Sequence, residues 1–354
     1  MNKPRKLRSR KAGLPPGSLV HIGEVKTDEP AFSVIDFDER GLQETQLTKP
    51  DYFAKQPRPF STRWANVYGA TKPDDLTVIG KTFGLHPLVQ EDILNNAQRQ
   101  KLDTYDEYLY LVLHRYELQT IPLELTQDQI SLVIGRDYLV TFQERPSKTF
   151  EPIRQRLRSE RSSLRKGGPD MLAYSLIDIV VDSYFGIIEQ LNDYAEALES
   201  KILNHPDSST LEGIHQLKRC VSQLRRNLHP LRELLGTLHR DGDEFFRSDI
   251  QLYIRDAQDH TIHIIESLED LRDLATGLLD VYLSTISHQV NLEVRTLTVV
   301  ATIFMPAALI AGIFGMNFHE MPWLADTNGF YFALGSMCLI GLTMLLLFWR
   351  RKSV

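Results

Sequence analysis

Three kinds of hydrophobic pattern follow one another along the 354-residue chain. As far as Phe142 the apolar positions come in short runs: Leu19 to Ile22, Phe32 to Phe37, Trp64 to Val67, Tyr108 to His114, Ile130 to Ile134 and Tyr138 to Phe142. Such runs predict β-strands, and the last two, separated by Gly135-Arg136-Asp137, predict a hairpin. Between the strands, Lys72-Pro-Asp-Asp75 opens a helical pattern through Val78, Ile79 and Phe83. His86-Pro87-Leu88 then leads into a short helix that carries Glu91 and Asp92. A mixed α/β domain is expected over residues 17–168.

Beyond Ser147 the strand signals stop. Lys148 to Arg165 predicts a basic helix, broken by Gly167-Gly168-Pro169. Two charge-laced helices of about thirty residues each follow, from Asp170 to Leu203 and from Ser208 to Arg240, and predict a helical hairpin over 169–248. Glu189, Asp193, Glu196 and Glu199 form an acidic stripe near its tip, as a solvated face does. A third helix starts near Asp249. Along it Ile264, Leu268, Leu271, Ala275, Leu278 and Tyr282 alternate by four and three, the seam of a bundle or coiled coil. With no breaker before Pro306, a stalk over 249–294 should run on as one rod, on the order of 90 Å long.

The third pattern is two uncharged runs, Leu297 to Met316 and Phe330 to Trp349, of about twenty residues each. At about 1.5 Å per residue each can cross a hydrocarbon core of about 30 Å. Spans are therefore placed at 295–317 and 330–349, with a loop over 318–329. On the first span one stripe stays small or mildly polar: Asn291, Val294, Thr298, Ala301, Met305, Ala308, Gly312 and Gly315, with Asn317 at its end. Such a stripe suits either close helix packing or a narrow water path. The amides at its two ends favour the pore.

Charge sets the orientation. Arg295 precedes the first span, Arg350-Arg351-Lys352 follow the second, and the loop between holds no Lys or Arg, so both termini should be cytoplasmic and His319 to Gly329 external. The net charge of −6 argues against a nucleic-acid partner. Basic charge clusters only at Lys3, Arg5, Lys6, Arg8, Arg10 and Lys11, in a tail over 1–16 expected to be disordered, and again in the short cytoplasmic tail 350–354. Two cysteines, Cys220 and Cys338, imply no disulfide framework. Nucleotide-binding and hydrolase signatures are missing, so the chain does not read as an enzyme.

The loop Phe314-Gly-Met-Asn-Phe318 followed by Met321-Pro322, at the outer end of the penultimate span, resembles the CorA family of magnesium and cobalt transporters. His86-Pro-Leu-Val-Gln-Glu-Asp92, Tyr174-Ser-Leu-Ile-Asp178, the Asp256 to His260 segment, Gly277-Leu-Leu-Asp-Val-Tyr282 and Ala301-Thr-Ile-Phe-Met-Pro306 carry the resemblance over nearly the whole chain. It implies an α+β membrane protein: a cytoplasmic α/β domain, a long helical hairpin, a stalk and two C-terminal spans, assembled as a homopentameric funnel in the inner membrane. The implied activity is passive influx of Mg2+ and Co2+, with Ni2+ a further candidate, gated by intracellular divalent ions. A divalent cation moving down about 100 mV gains about 4.6 kcal/mol, so no other energy source is required.

The resemblance also assigns residues. Asn291, Thr298 and Gly312 would touch the ion path and Asn317 would ring its mouth with side-chain oxygens, while Gly315 and Met316 complete the pore and selectivity segment, Gly315 by ending the helix and Met316 by packing; Val294, Leu297 and Met305 would form an apolar constriction. Asp92 and Asp256 would hold a regulatory ion between neighbouring copies. Glu91, Asp178, Asp182 and His260 are candidates for a second ion; Asp178 and Asp182, like Asp256 and His260, are four apart on one helix face. Phe314, where the family often has Tyr, and His319, where it often has an acidic residue, depart from the pattern. A zinc transporter of the ZntB type and a membrane-tethered metal sensor that conducts nothing are the alternatives.

Overall fold

The structure, a computed structural model, describes residues 13–27, 29–160, 162–204, 206–242, 244–316 and 328–350. Asn317, most of the loop that follows it, and residues 1–12 and 351–354 of the two basic tails lie outside them. The chain divides into two units, Met1–Glu199 with Glu212–Thr276, and Ser200–Leu211 with Gly277–Val354.

The first unit is built on seven strands. In chain order the elements are β1 (Ala31–Asp38), β2 (Gly41–Leu47), α1 (Tyr52–Lys55), β3 (Thr62–Tyr68), α2 (Pro73–Phe83), α3 (Pro87–Ile93), β4 (Lys101–Thr104), β5 (Tyr108–Thr120), β6 (Leu123–Gly135), β7 (Tyr138–Gln143) and α4 (Glu151–Arg158). The strands order as β2-β1-β3-β7-β6-β5-β4. Every neighbouring pair is antiparallel except β3 with β7.

Alternation along the strands sends successive side chains to opposite faces, and both faces are buried. Val34, Ala65, Val67, Tyr110, Val112, Val133 and Val140 form one core with Leu76, Ile79 and Phe83 of α2 and Val89 and Ile93 of α3. On the strands Trp64, Leu109, Leu111, Leu132 and Leu139 fall at the alternate positions and are equally buried. Phe150 packs edge-on to Trp64 at 6.3 Å.

Charged groups are buried in this domain as well. Arg63 and Asp36, 2% and 4% exposed at the side chain, make a bidentate pair with N···O distances of 2.7 and 2.8 Å. Nη1 also donates to the carbonyl of Phe53, and Nη2 to those of Gln56 and Pro57. Asp128 is the hub of a second network: Lys26 at 2.7 Å, Arg145 at 2.9 Å and Arg115 all reach it. Burial alone would raise its carboxyl, but hydrogen bonds from Arg145 and Lys26 hold it down at about 2.

Four long helices follow: α5 (Gly168–Asn204), α6 (Ser208–Asp241), α7 (Ser248–Phe314) and α8 (Gly329–Arg350). All six seam positions predicted on the third helix, Ile264, Leu268, Leu271, Ala275, Leu278 and Tyr282, are buried. Tyr184 of α5 donates its hydroxyl to the carbonyl of His114 on β5, docking the helix on the sheet. Arg225 of α6 pairs with Glu269 of α7 at 3.0 Å. By length and composition α5 could also cross a membrane, with a mean hydropathy of 1.6, but 56% of its most apolar window is buried within the protein. It is a core helix. The corresponding windows of α7 and α8, at 2.3 and 2.1, are only 6% buried.

Several local expectations are corrected. Leu19 to Ile22 is not a strand; Ile22 makes a single parallel bridge to Asn95. β2 and β4 were not anticipated. The run at Tyr108 extends to Thr120 and pairs along its whole length with β6, through a turn at Ile121-Pro122. The basic helix expected over Lys148 to Arg165 is split, because α4 ends at Arg158 with Ser159 extended, and a short 3-10 turn covers Ser163–Lys166.

Candidate functional site

The carboxylates singled out in the sequence fall into two environments. Asp92 lies near the end of α3, where the chain turns into β4. Its Oδ2 accepts from Lys101 Nζ at 2.7 Å and its Oδ1 from Gln98 Nε2 at 2.9 Å. Burial raises the Asp92 carboxyl, and Lys101 pulls it the other way. Lys101 also binds Asp103, so it has a second carboxylate to hold. Neighbouring Glu91 accepts the backbone N–H of Gly17, from the segment that precedes the sheet.

The other environment is a cluster between α5 and α7. Asp178 and Asp182 on α5 and His260 on α7 each offer a ligand atom, and these atoms all lie within 4.8 Å of one another. Helical spacing explains why: residues four apart sit one turn above each other, so two i, i+4 pairs on packed helices make a four-residue patch. His260 Nδ1 lies 3.7 Å from Asp182 and its Nε2 3.8 Å from Asp256, both beyond hydrogen-bond reach. The buried Nδ1 has no hydrogen-bond partner. Phe185 packs edge-on to the imidazole at 5.7 Å and fixes its plane.

No Lys or Arg pairs with Asp178, Asp182 or Asp256 among the described ion pairs, in contrast to Asp92. Burial, and then repulsion from Asp182, raise the Asp178 carboxyl. Burial and the adjacent Asp178 likewise push the Tyr174 phenol up. Three carboxylates around one imidazole, without a basic partner, suit a divalent cation of oxygen or mixed oxygen and nitrogen preference.

The membrane part has the opposite character. From Thr296 to Met316 there is no ionisable side chain. Asn291, Val294, Leu297, Thr298, Met305, Gly312, Gly315 and Met316 are all exposed, Leu297 at 70% and Met305 at 69%. A Cβ added at Gly312 would meet nothing within 4 Å. Between α7 and α8, a groove of about 430 Å³ is lined by Leu297, Thr298, Ala301, Thr302, Met305, Pro306 and Met344. After Phe314 the helix closes with Gly315 N–H on Ala311 O at 2.9 Å and Met316 N–H on Ile313 O at 3.2 Å.

Among the described residues, the long apolar helices that stay unburied are α7 and α8, and they follow a sheet domain with its own core. That defines an integral membrane protein with a large extramembrane part. Residues 61–352 match the model of the CorA-like Mg2+ transporter proteins, and the chain belongs to that family. It is 38% identical over 344 residues to the cobalt/magnesium transport protein CorA of Thermotoga maritima, covering 97% of this chain and 98% of the relative. It is 31% identical over 287 residues to the putative metal ion transporter YfjQ of Bacillus subtilis, covering 80% and 88%. The fold matches the solved CorA magnesium transporter of Methanocaldococcus jannaschii with a TM-score of 0.75 at 20% identity, covering 90% of this chain and 97% of that one.

Sequence reasoning missed Lys101 and Gln98 as partners of Asp92, since their contact depends on the unpredicted strand β4. It also missed Tyr174 and Phe185, which frame the carboxylate cluster one turn away on α5; their aromatic character at helical spacing from Asp178 and Asp182 was the available signal.

Proposed function

We propose that the protein is a divalent-cation channel for passive, potential-driven influx of Mg2+ and Co2+, with Ni2+ a further cargo of the same charge, across the inner membrane. The observation that carries the reading is the stretch from Thr296 to Met316, free of charge and mostly exposed, in which α7 ends and the chain closes on the Gly315-Met316 turn. Magnesium holds its water tightly, so a path of neutral oxygens and small residues passes it hydrated, whereas a carboxylate ring would trap it. Two spans per chain cannot enclose a path, so a symmetric ring is required; a homopentamer with both termini cytoplasmic fits the family and the arginine placement. Val294, Leu297 and Met305 form the apolar constriction, closing it by dewetting.

Gating follows from charge. An ion shared by Asp92 and the Asp256 of a neighbouring copy neutralises two carboxylates that otherwise repel, and so favours the closed ring. Asp103 can hold the Lys101 ammonium while Asp92 turns to the ion. Asp178, Asp182 and His260, with Glu91 supplied by α3 of a neighbouring copy, make the second regulatory site. The test is limited proteolysis of the full chain with and without millimolar magnesium. An ion at about 100 times its dissociation constant stabilises by about 2.7 kcal/mol, so wild type should be cleaved about a hundredfold more slowly with metal. Asp256→Asn should lose most of that protection; equal protection in both proteins would contradict the proposed gate.

A further inference from the structure

We infer that Lys101 is a built-in competitor of the regulatory cation: its ammonium occupies Asp92 while the ion is absent, and the sharing of that ammonium between Asp92 and Asp103 sets the magnesium concentration at which the ring closes. This rests on the gate of Asp92 and Asp256 proposed above and adds what tunes it.

The carboxylates assigned to regulatory ions are not equivalent. Asp178, Asp182 and Asp256 have no Lys or Arg among the described ion pairs, whereas both oxygens of Asp92 are taken. Lys101 Nζ donates to Oδ2 at 2.7 Å and Gln98 Nε2 to Oδ1 at 2.9 Å. Gln129 Nε2 donates to the backbone carbonyl of Asp92 at 3.2 Å, so the main chain is held and the side chain is the part that can change partners.

Lys101 opens β4 and Asp103 lies two residues on, which puts both side chains on one face of the strand. The ammonium binds Asp103 as well as Asp92. At the side chain Lys101 and Asp92 are 29% and 15% exposed, partly withdrawn from water, where opposite charges attract more strongly than on the open surface. A divalent ion on Asp92 would place two cations on one carboxylate, so the ammonium must leave it. Asp103 receives the ammonium without returning it to bulk water. The ion thus binds only the fraction of molecules in which Asp92 is free, and the apparent affinity falls by that fraction. With Asp92 free about a tenth of the time, the midpoint lies about tenfold higher than the carboxylates alone would give.

Two substitutions then act in opposite directions. K101M removes the competitor and should lower the magnesium midpoint about tenfold, while D103N leaves the ammonium nowhere but Asp92 and should raise it about threefold. A charge acting through space would give the same two signs, so the double variant decides. With the lysine gone Asp103 has nothing to hold, and K101M/D103N should match K101M. The reading is protection of the full chain from chymotrypsin, which does not cleave at lysine, titrated with magnesium after size-exclusion chromatography has shown each variant assembled. K101Q replaces K101M in both proteins if K101M does not assemble. A midpoint for the lysine variant at or above wild type overturns the inference; so does a D103N shift that is equal with and without the lysine. Absence of magnesium-dependent protection in wild type refutes the gate itself.

Discussion

Asn317→Ala abolishes magnesium uptake, down to the level of protein-free liposomes, in a protein that still folds and assembles. Asn317 follows the helix-terminating Gly315-Met316 turn and lies outside the described residues. The mouth of the path must receive an ion with six waters and reluctant exchange. A neutral side-chain oxygen from each copy accepts hydrogen bonds from those waters without stripping them, and alanine removes every such acceptor at once. The stalk seam and the sheet core lie elsewhere, with Leu268, Ala275 and Trp64 wholly enclosed, so stability has no reason to change. Uptake in liposomes and the elution volume of the assembled mutant are the two readings. Near-normal uptake by a correctly assembled mutant contradicts the assignment.

The largest effect on stability is expected at Asp36. Replacing it by alanine leaves the Arg63 guanidinium buried without its carboxylate, and breaking such a pair costs about 3–5 kcal/mol. Carbonyls of Phe53, Gln56 and Pro57 still accept from Arg63, but carbonyl dipoles do not neutralise its charge. Urea unfolding of the detergent-solubilised protein should move to much lower midpoint. The double variant Asp36→Leu, Arg63→Met, which removes both charges, should recover most of the loss. A single mutant as stable as wild type would mean that the pair is solvated in solution.

Long periodic elements were legible in the sequence. The stalk seam, the helical hairpin and both apolar runs follow from spacing and charge alone, since a thirty-residue amphipathic pattern has few structural alternatives. β2 was not legible because its residues, Gly41 to Leu47, are polar and mostly unburied at the sheet edge, where no hydrophobic alternation is imposed. β4 is four residues long, half-buried as far as Asp103 and exposed at Thr104, too short to carry a period. The broken basic helix shows how weak a charge-rich helical pattern is when few apolar residues anchor it: α4 buries only Ile153, Arg154 and Leu157.

The candidate site divides the same way. Spacing placed Asp178 with Asp182, and Asp256 with His260, on their helix faces, but only tertiary packing brings the two faces together. The proximity of Lys101 to Asp92 is a consequence of strand pairing between β4 and β5, and no local pattern announces it.

Copies of this chain, with no other component, should form a passive path for hydrated magnesium. This is tested most directly by purified protein in liposomes containing a magnesium-sensitive dye, with no nucleotide and no proton gradient, under an imposed potassium diffusion potential. The account predicts magnesium entry that rises as the interior is made more negative and stops when the potential is collapsed at equal magnesium on both sides. Entry no faster than into protein-free liposomes, or entry only when a proton gradient is added, would contradict it.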